Sequence, residues 1–245
     1  MPTPSYPVTI TASEFVTPSV KRIQFEFKTP FSYVPGQFVS LQIPHDGDFI
    51  KRSYSIANTG HDFENTQTIE IVISHVEGGR ATEFLFSAEP GTEIELSGPL
   101  GALTLLPEHP ERTIFIATGT GVAPYRTMLP HLSEGFGDDQ SFHILQGVRE
   151  PDELLFRDCF VKYSENNDNI HFHACYSRVM PEDSAHYEKH GYVQEHLKAL
   201  EPNPATDLVY LCGNPAMVDE VYKMLKELEF EVKQVKREKY AFSKR

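Results

Sequence analysis

An apolar run, Thr113-Ile-Phe-Ile-Ala-Thr118, leads straight into Gly119-Thr-Gly-Val-Ala-Pro124, and this junction constrains the chain more than any other. A buried strand that breaks at glycines and resumes as a helix belongs to a parallel α/β layer. Glycines let the backbone approach a ligand closely, and Pro124 suits a first helical turn. The unpaired N–H groups of such a helix favour a phosphate. The full dinucleotide fingerprint is not met, because a proline stands where a further glycine is expected. A tight strand–helix turn with no ligand would read the same way.

Downstream, residues 142–146, 170–176 and 208–212 read as strands. Residues 122–132, 193–200 and 216–228 read as helices, the last with Met217, Val221, Met224, Leu225 and Leu228 at helical spacing. Strand–helix alternation predicts a doubly wound parallel sheet covered on both faces. The first hundred residues differ. Ile23, Phe25 and Phe27 alternate with polar neighbours, as do Val39, Leu41 and Ile43, and 69–73 and 92–97 add further strands. One helix-like piece, 81–88, interrupts them. Short strands with regular turns predict an antiparallel six-stranded β-barrel. The proline-bearing stretch 106–111 marks the boundary, giving domains 1–106 and 107–245. A chain of 245 residues should bury about three-quarters of its extended surface without a staple.

Composition narrows the function. Cys159, Cys175 and Cys212 share no short spacing, which suggests neither a disulfide framework nor a cluster or zinc site. The amino terminus lacks a secretory pattern, and no apolar run reaches the roughly 18 residues of a membrane span. A cytoplasmic protein, monomeric and without a membrane partner, is the expectation. A net charge of −13, from 22 Lys+Arg against 35 Asp+Glu, argues against nucleic acid as a partner.

Three further words carry chemistry. In Arg52-Ser-Tyr-Ser55, alternation puts Arg52 and Tyr54 on one side and Ser53 and Ser55 on the other. Arginine can hold a pyrophosphate in a fork and a tyrosine face can stack on a planar ring. Gly78-Gly79 before Ala81-Thr82 offers a second phosphate nest at a helix start. Gly98-Pro-Leu-Gly101 reads as a structural turn ending the barrel. Cys212-Gly-Asn-Pro215 puts a thiol at the end of a late strand. The acidic residue that marks NAD use is missing at the end of the second α/β strand, where Arg149 stands before Glu150 and Asp152. Ser177-Arg178 ends the third. Two arginines at strand ends favour a 2′-phosphate, hence NADPH over NADH. His171 and His173 alternate on one strand, but no third ligand has metal-site spacing, so they read as ordinary core or surface histidines.

With these residues in place, the chain resembles the ferredoxin–NADP reductase superfamily, the two-domain FAD-dependent reductases. Their Arg-x-Tyr-Ser motif matches Arg52, Tyr54 and Ser55, and their second flavin motif resembles residues 78–82. Their Gly-Thr-Gly-x-Ala-Pro and Cys-Gly-x-x motifs match 119–124 and 212–215. The resemblance implies FAD and NADPH as cofactors, with NADH possible. It implies that Arg52 binds the FAD pyrophosphate, Tyr54 stacks on the isoalloxazine and Ser55 bonds near N5, with Thr82 and the backbone beside Gly78 and Gly79 on the phosphates. Gly119, Thr120 and Gly121 would face the nicotinamide nucleotide, with Cys212 beside the nicotinamide. Ser177 and Arg178 would grip the 2′-phosphate, aided by Arg149, and Tyr192 would lie on the adenine. The plant-type ending Glu-x-Tyr matches Glu238-Lys-Tyr240, but five residues follow. Either Tyr240 or Phe242 would then shield the ring.

The resemblance implies hydride transfer from NAD(P)H to FAD and release of electrons to a ferredoxin or flavodoxin. Such acceptors are acidic, so docking would need a basic patch from Lys51, Arg52, Arg80, Lys239, Lys244 and Arg245. Rival readings are an NAD(P)H:flavin reductase that treats flavin as a diffusing substrate, and a non-catalytic electron-transfer or redox-sensing subunit.

Overall fold

The computed structural model describes residues 3–60, 63–107, 109–134, 137 and 139–240. They form two compact units: Met1–Leu105 with Ala123–Pro130, and Leu106–Val122 with His131–Arg245.

The first unit is an antiparallel barrel of β1 (Ser5–Thr17), β2 (Val20–Phe31), β3 (Phe38–His45), β4 (Asp48–Ser55), β5 (Thr66–Ser74) and β6 (Glu93–Leu100). The order is β4-β3-β6-β1-β2-β5. A bridge between Ile56 and Ile71 joins the two edges and closes the barrel. The alternating residues do what their period requires: Phe25, Leu41, Ile43, Ile69 and Ile71 are fully buried in one core. Each such side chain contributes roughly 2 kcal/mol on leaving water. Helix α1 (Arg80–Ser87) buries Ala81 and Leu85 against that core.

Two features depart from the sequence reading. Strand β1 is 13 residues long, yet register shifts at Ile10/Ala12 and Phe15/Thr17 break its alternation, so its sequence hides the strand. The stretch 98–101 is mostly not a turn. β6 runs through Gly98 and Pro99 to Leu100, which pairs with Phe38, and only Gly101 turns.

The second unit is a parallel sheet of β7 (Arg112–Thr118), β8 (Ser141–Val148), β9 (Ile170–Tyr176), β10 (Glu188–His190), β11 (Asp207–Gly213) and β12 (Val235–Lys239). The order β10-β9-β8-β7-β11-β12 grows from β7 in one direction and then returns to its other side. Helix α3 (Arg157–Asn166) stacks Phe160 on Phe172 of β9 at 5.2 Å. Helices α4 (Val193–Ala199) and α5 (Pro215–Glu227) pack Leu197, Val218 and Val221 into a core with Ile116, Leu145 and Leu211. Leu228 falls past the end of α5 and is 44% exposed, whereas Met217, Val221 and Leu225 are buried as their spacing predicts, with Val218 beside them. At the sheet's lower end, Arg112 donates to both Asp207 oxygens at 3.0 and 2.6 Å and to Leu200 O at 2.9 Å. Asp207 is almost wholly buried, so this fork fixes the register of β7 against β11.

Helix α2 (Ala123–Glu134) follows β7, and its residues 123–130 belong to the first unit. There the buried Arg126 donates to Ala57 O at 2.6 Å and to Glu70 at 2.8 Å, and Thr127 Oγ1 accepts from Gly36 N at 2.9 Å.

The sheet also supplies a neighbour for His171 and His173. Parallel register brings His143 of β8 beside them, with His143 Nδ1 3.4 Å from His173 Nε2 and its ring centroid 4.5 Å from that of His171. Among the described residues no group of three His, Cys, Asp or Glu is arranged to hold a metal ion. Burial lowers His143 to about 3 and His173 to about 4, helped in each case by neighbouring cationic groups. These rings stay neutral in the folded protein, while an unfolded histidine takes a proton below about pH 6.5. Their contribution is therefore complete above that pH and lost as the pH falls from 6.5 towards 4. Urea unfolding between pH 7.5 and 4.5 should show stability falling with acid, and His143→Gln should lower the proton uptake on unfolding by about one. An unchanged slope in the variant would remove the histidine cluster as the cause.

Candidate functional site

In an open α/β sheet, ligands bind beyond the strand ends where the order reverses. Here that point lies between β7 and β11, and it is where two of the motifs meet. β7 ends at Thr118, residues 119–122 make a tight 3₁₀ turn, and α2 begins at Ala123. β11 ends at Cys212 and Gly213, after which Asn214 caps α5 by accepting from Ala216 N at 2.8 Å, with Pro215 in the first turn. The two turns interlock. Asn214 N donates to Thr118 Oγ1 at 3.0 Å. A Cβ on Gly121 would stand 2.4 Å from Cys212 O, and one on Gly213, at φ 125°, would stand 2.7 Å from Thr118 O. These glycines are needed by the packing of the turns themselves. Gly119, with open space beside it, leaves the outer side of the turn clear.

Strand β12 places Glu238 opposite Cys212 and delivers Tyr240 to the same turns. Tyr240 N donates to Gly213 O at 2.9 Å, and its hydroxyl donates to Thr120 O at 3.3 Å. Cys212 is fully buried. Burial, reinforced by the Glu238 carboxylate and opposed by a hydrogen bond with Tyr240, pushes its thiol well above the usual range. Cys212 is thus a neutral, compact wall and not a nucleophile. Phe242, Lys244 and Arg245 lie outside the described residues.

On the other side of β7, the loops after β8 and β9 are sewn together. Ser177 N donates to Val148 O at 3.0 Å, and Arg178 N to Arg149 O at 2.9 Å. Arg178 is exposed. Arg149 is engaged, its guanidinium paired with Glu153. Tyr192 stands 60% exposed at the start of α4.

In the first unit, Arg52 and Tyr54 pair with Leu41 and Val39, while Ser53 and Ser55 pair with Ser40 and Phe38, so the predicted two-sidedness holds. Ser55 is buried and Ser53 exposed. Arg52 donates to Lys51 O at 2.7 Å, and Tyr54 packs on the barrel core. Burial pushes its phenol up to about 12 against the pull of Arg52, so Tyr54 is neutral. Gly78 makes a left-handed turn at φ 66°, and Gly79 precedes α1 with no side chain capping that helix. A helix start of this kind can accept an anion. The Thr82 hydroxyl turns back on its own loop, 2.8 Å from Gly79 O and 3.0 Å from Val76 O, so it shapes the nest. A guanidinium, an aromatic face and an uncapped helix start are the groups a flavin dinucleotide requires, and the barrel carries all three.

Of the basic residues expected to form a docking patch, Lys239 is paired with Asp219 at 2.5 Å. Arg126 and Glu153 were not singled out by any motif. Arginine followed by apolar helix residues, and an acid four places after Arg149, were the signals present.

Residues 7–105 match an oxidoreductase FAD-binding domain, and residues 115–223 match an oxidoreductase NAD-binding domain. The chain is 33% identical over 235 residues to ferredoxin–NADP reductase B of Sorangium cellulosum, covering 92% of this chain and 93% of that protein. It is 32% identical to the toluate 1,2-dioxygenase electron transfer component of Pseudomonas putida, covering 86% of this chain but only 60% of that longer protein. A ferredoxin NADP+ reductase from Neisseria gonorrhoeae, solved with bound FAD and NADP, shares the fold with a TM-score of 0.83 at 22% identity, over 97% of this chain and 99% of that one. The chain belongs to the ferredoxin–NADP reductase superfamily of FAD-dependent oxidoreductases that use NAD(P)H.

Proposed function

We propose that this protein takes reducing equivalents from NADPH, with NADH as a poorer donor, and passes them to an external redox protein such as a ferredoxin or flavodoxin. The observation that carries the reading is the meeting of residues 119–121 and Cys212 at the point where the parallel sheet reverses. The likeness to ferredoxin–NADP reductase B over 93% of that protein supports it. Residues 1–106 hold the flavin and 107–245 the nicotinamide nucleotide. FAD, when bound, accepts hydride from the nicotinamide and releases electrons one at a time.

The chain's own residues supply position and electrostatics. Arg52 neutralises the pyrophosphate with help from Ser53 and the α1 start at Gly78 and Gly79, whose loop Thr82 holds in shape. Tyr54 offers its neutral ring as a stacking face, and Ser55 offers a hydroxyl near N5. Gly119, Thr120 and Gly121 receive the nicotinamide half of the nucleotide. Cys212 closes that pocket without charge, Glu238 lies near the path of the proton, and Tyr240 stands at the same turns, bonded to Gly213 and Thr120. Ser177, Arg178 and Arg149 meet the 2′-phosphate, and Tyr192 the adenine. Cys159, Cys175 and Cys212 are reduced thiols, which suits a reducing cytoplasm.

Arg52→Ala should weaken FAD retention about tenfold or more, as expected for losing a charge-assisted pair to a pyrophosphate. Flavin absorbance per protein after dialysis measures this, and an unaltered ratio sinks the assignment. Arg178→Ala should raise the KM for NADPH about tenfold and leave that for NADH nearly unmoved; equal effects on both would defeat the phosphate-grip role. Tyr240→Ala should alter NADP+ affinity more than that of adenosine 2′,5′-bisphosphate, which lacks the nicotinamide. Matching shifts in titration calorimetry would reduce Tyr240 to a support for the Thr120 turn.

A further inference from the structure

The loops after β8 and β9 contain an ion pair that neither strand ladder needs. The Arg149 guanidinium is bound by the Glu153 carboxylate, and the same carboxylate accepts the Arg149 backbone N–H at 2.9 Å. The acid is the sheltered partner, with 19% of its side chain exposed against 57% for the arginine. Burial would raise Glu153, yet its bonds from Arg149 and the field of Arg178 hold it below the usual carboxylate range, so it is ionised. Arg178 hangs from the same backbone, its N–H on Arg149 O. Glu150 and Asp152 add to the negative field at Arg149. Arg149 thus faces three acids, of which Glu153 also feels Arg178.

We propose that Glu153 is the residue that sets nucleotide discrimination: it occupies Arg149, so an incoming 2′-phosphate meets Arg178 first and must displace a carboxylate to gain the second arginine. The inference rests on the reading of these loops as the site for the adenosine end of NADPH. A phosphate forms a fork with arginine as a carboxylate does, so the two compete for one guanidinium. NADH brings no anion to this spot and loses nothing to the competition. Glu153 therefore narrows the preference for NADPH without favouring NADH through any contact of its own.

Glu153→Gln removes the charge while keeping an oxygen that can accept the Arg149 N–H. In the FAD-loaded enzyme, the variant should bind adenosine 2′,5′-bisphosphate about three- to fivefold more tightly and lower the KM for NADPH similarly, the range for one exposed ion pair. AMP affinity and the KM for NADH should stay put, and the gain should shrink as salt rises. Glu153→Asp, which shortens the reach to Arg149, should move the ratio in the same direction by less. If the bisphosphate-to-AMP ratio is unchanged in Glu153→Gln while Arg178→Ala abolishes it, Glu153 has no part in discrimination although the phosphate site stands. If all four ligands weaken together, the acid merely shapes the loop and the proposal is overturned. If the unaltered enzyme binds bisphosphate and AMP alike and Arg178→Ala changes neither, the phosphate-site reading fails and takes this inference with it.

Discussion

The turn after β7 and the turn after β11 approach so closely that neither Gly121 nor Gly213 has room for a side chain in its native place. Much of the nucleotide half follows from this contact. Two parallel strands side by side at a sheet reversal leave their carboxyl ends open, and each must hand over to a helix at once. Asn214 and Pro215 start one helix, and Ala123 and Pro124 start the other. Thr118, at the end of β7, accepts from Asn214 N through its hydroxyl, and Tyr240 adds bonds to both turns. With the backbones locked, Cys212 is wholly enclosed, and enclosure next to Glu238 keeps its thiol protonated. The residue's chemistry is therefore set by packing: it can bound a pocket, but it cannot compete for electrophiles.

Legibility in the sequence followed periodicity. Residues 208–212 fall within β11 as the sequence predicts, because a run buried on both faces has an apolar signature of its own. Helix α5 emerged from its spacing, with its last turn overrun to Leu228. Strand β1 is not legible, because its bulges break the alternation on either side of Ala12, Ser13 and Glu14. Helix α3 and the three-residue β10 carry too little periodicity to declare themselves. The motifs marked the two bends at Gly121 and Gly213, since neither has room for a side chain. They could not locate His143 beside His173, a pairing made by register between strands 30 residues apart. Nor could they show that Thr82 turns inward, which depends on a loop folding back on its own hydroxyl.

Charge is deployed differently at different depths. Asp207 is buried and forked by Arg112, and removing either partner would strand the other, a cost of about 3–5 kcal/mol. Arg126 with Glu70 is similarly sheltered within the first unit. Such pairs fix register and are poor places for evolution to experiment. Arg149 with Glu153 and Lys239 with Asp219 are exposed on at least one side, and pairs of that kind contribute about 0–1 kcal/mol.

That difference in magnitude separates what the fold determines from what it leaves adjustable. The reaction type depends on backbone geometry at the strand ends, where a displaced glycine or an unfilled cap disturbs the whole turn. Nucleotide choice, on the proposed function, would depend on arginines and acids whose individual pairings differ by little more than thermal energy. A few surface substitutions can then shift preference without touching the sheet, because the phosphate of a nucleotide and the carboxylate of a side chain compete for the same guanidinium on nearly equal terms. The acidic surface acts in the same register. At −13 overall, the protein attracts an anionic partner only where cations escape local pairing, and Lys239 shows how readily one is taken up. On the proposed function, selectivity for nucleotide and acceptor would therefore come from which few cations remain uncommitted, and the chemistry from the turns at Gly121 and Gly213.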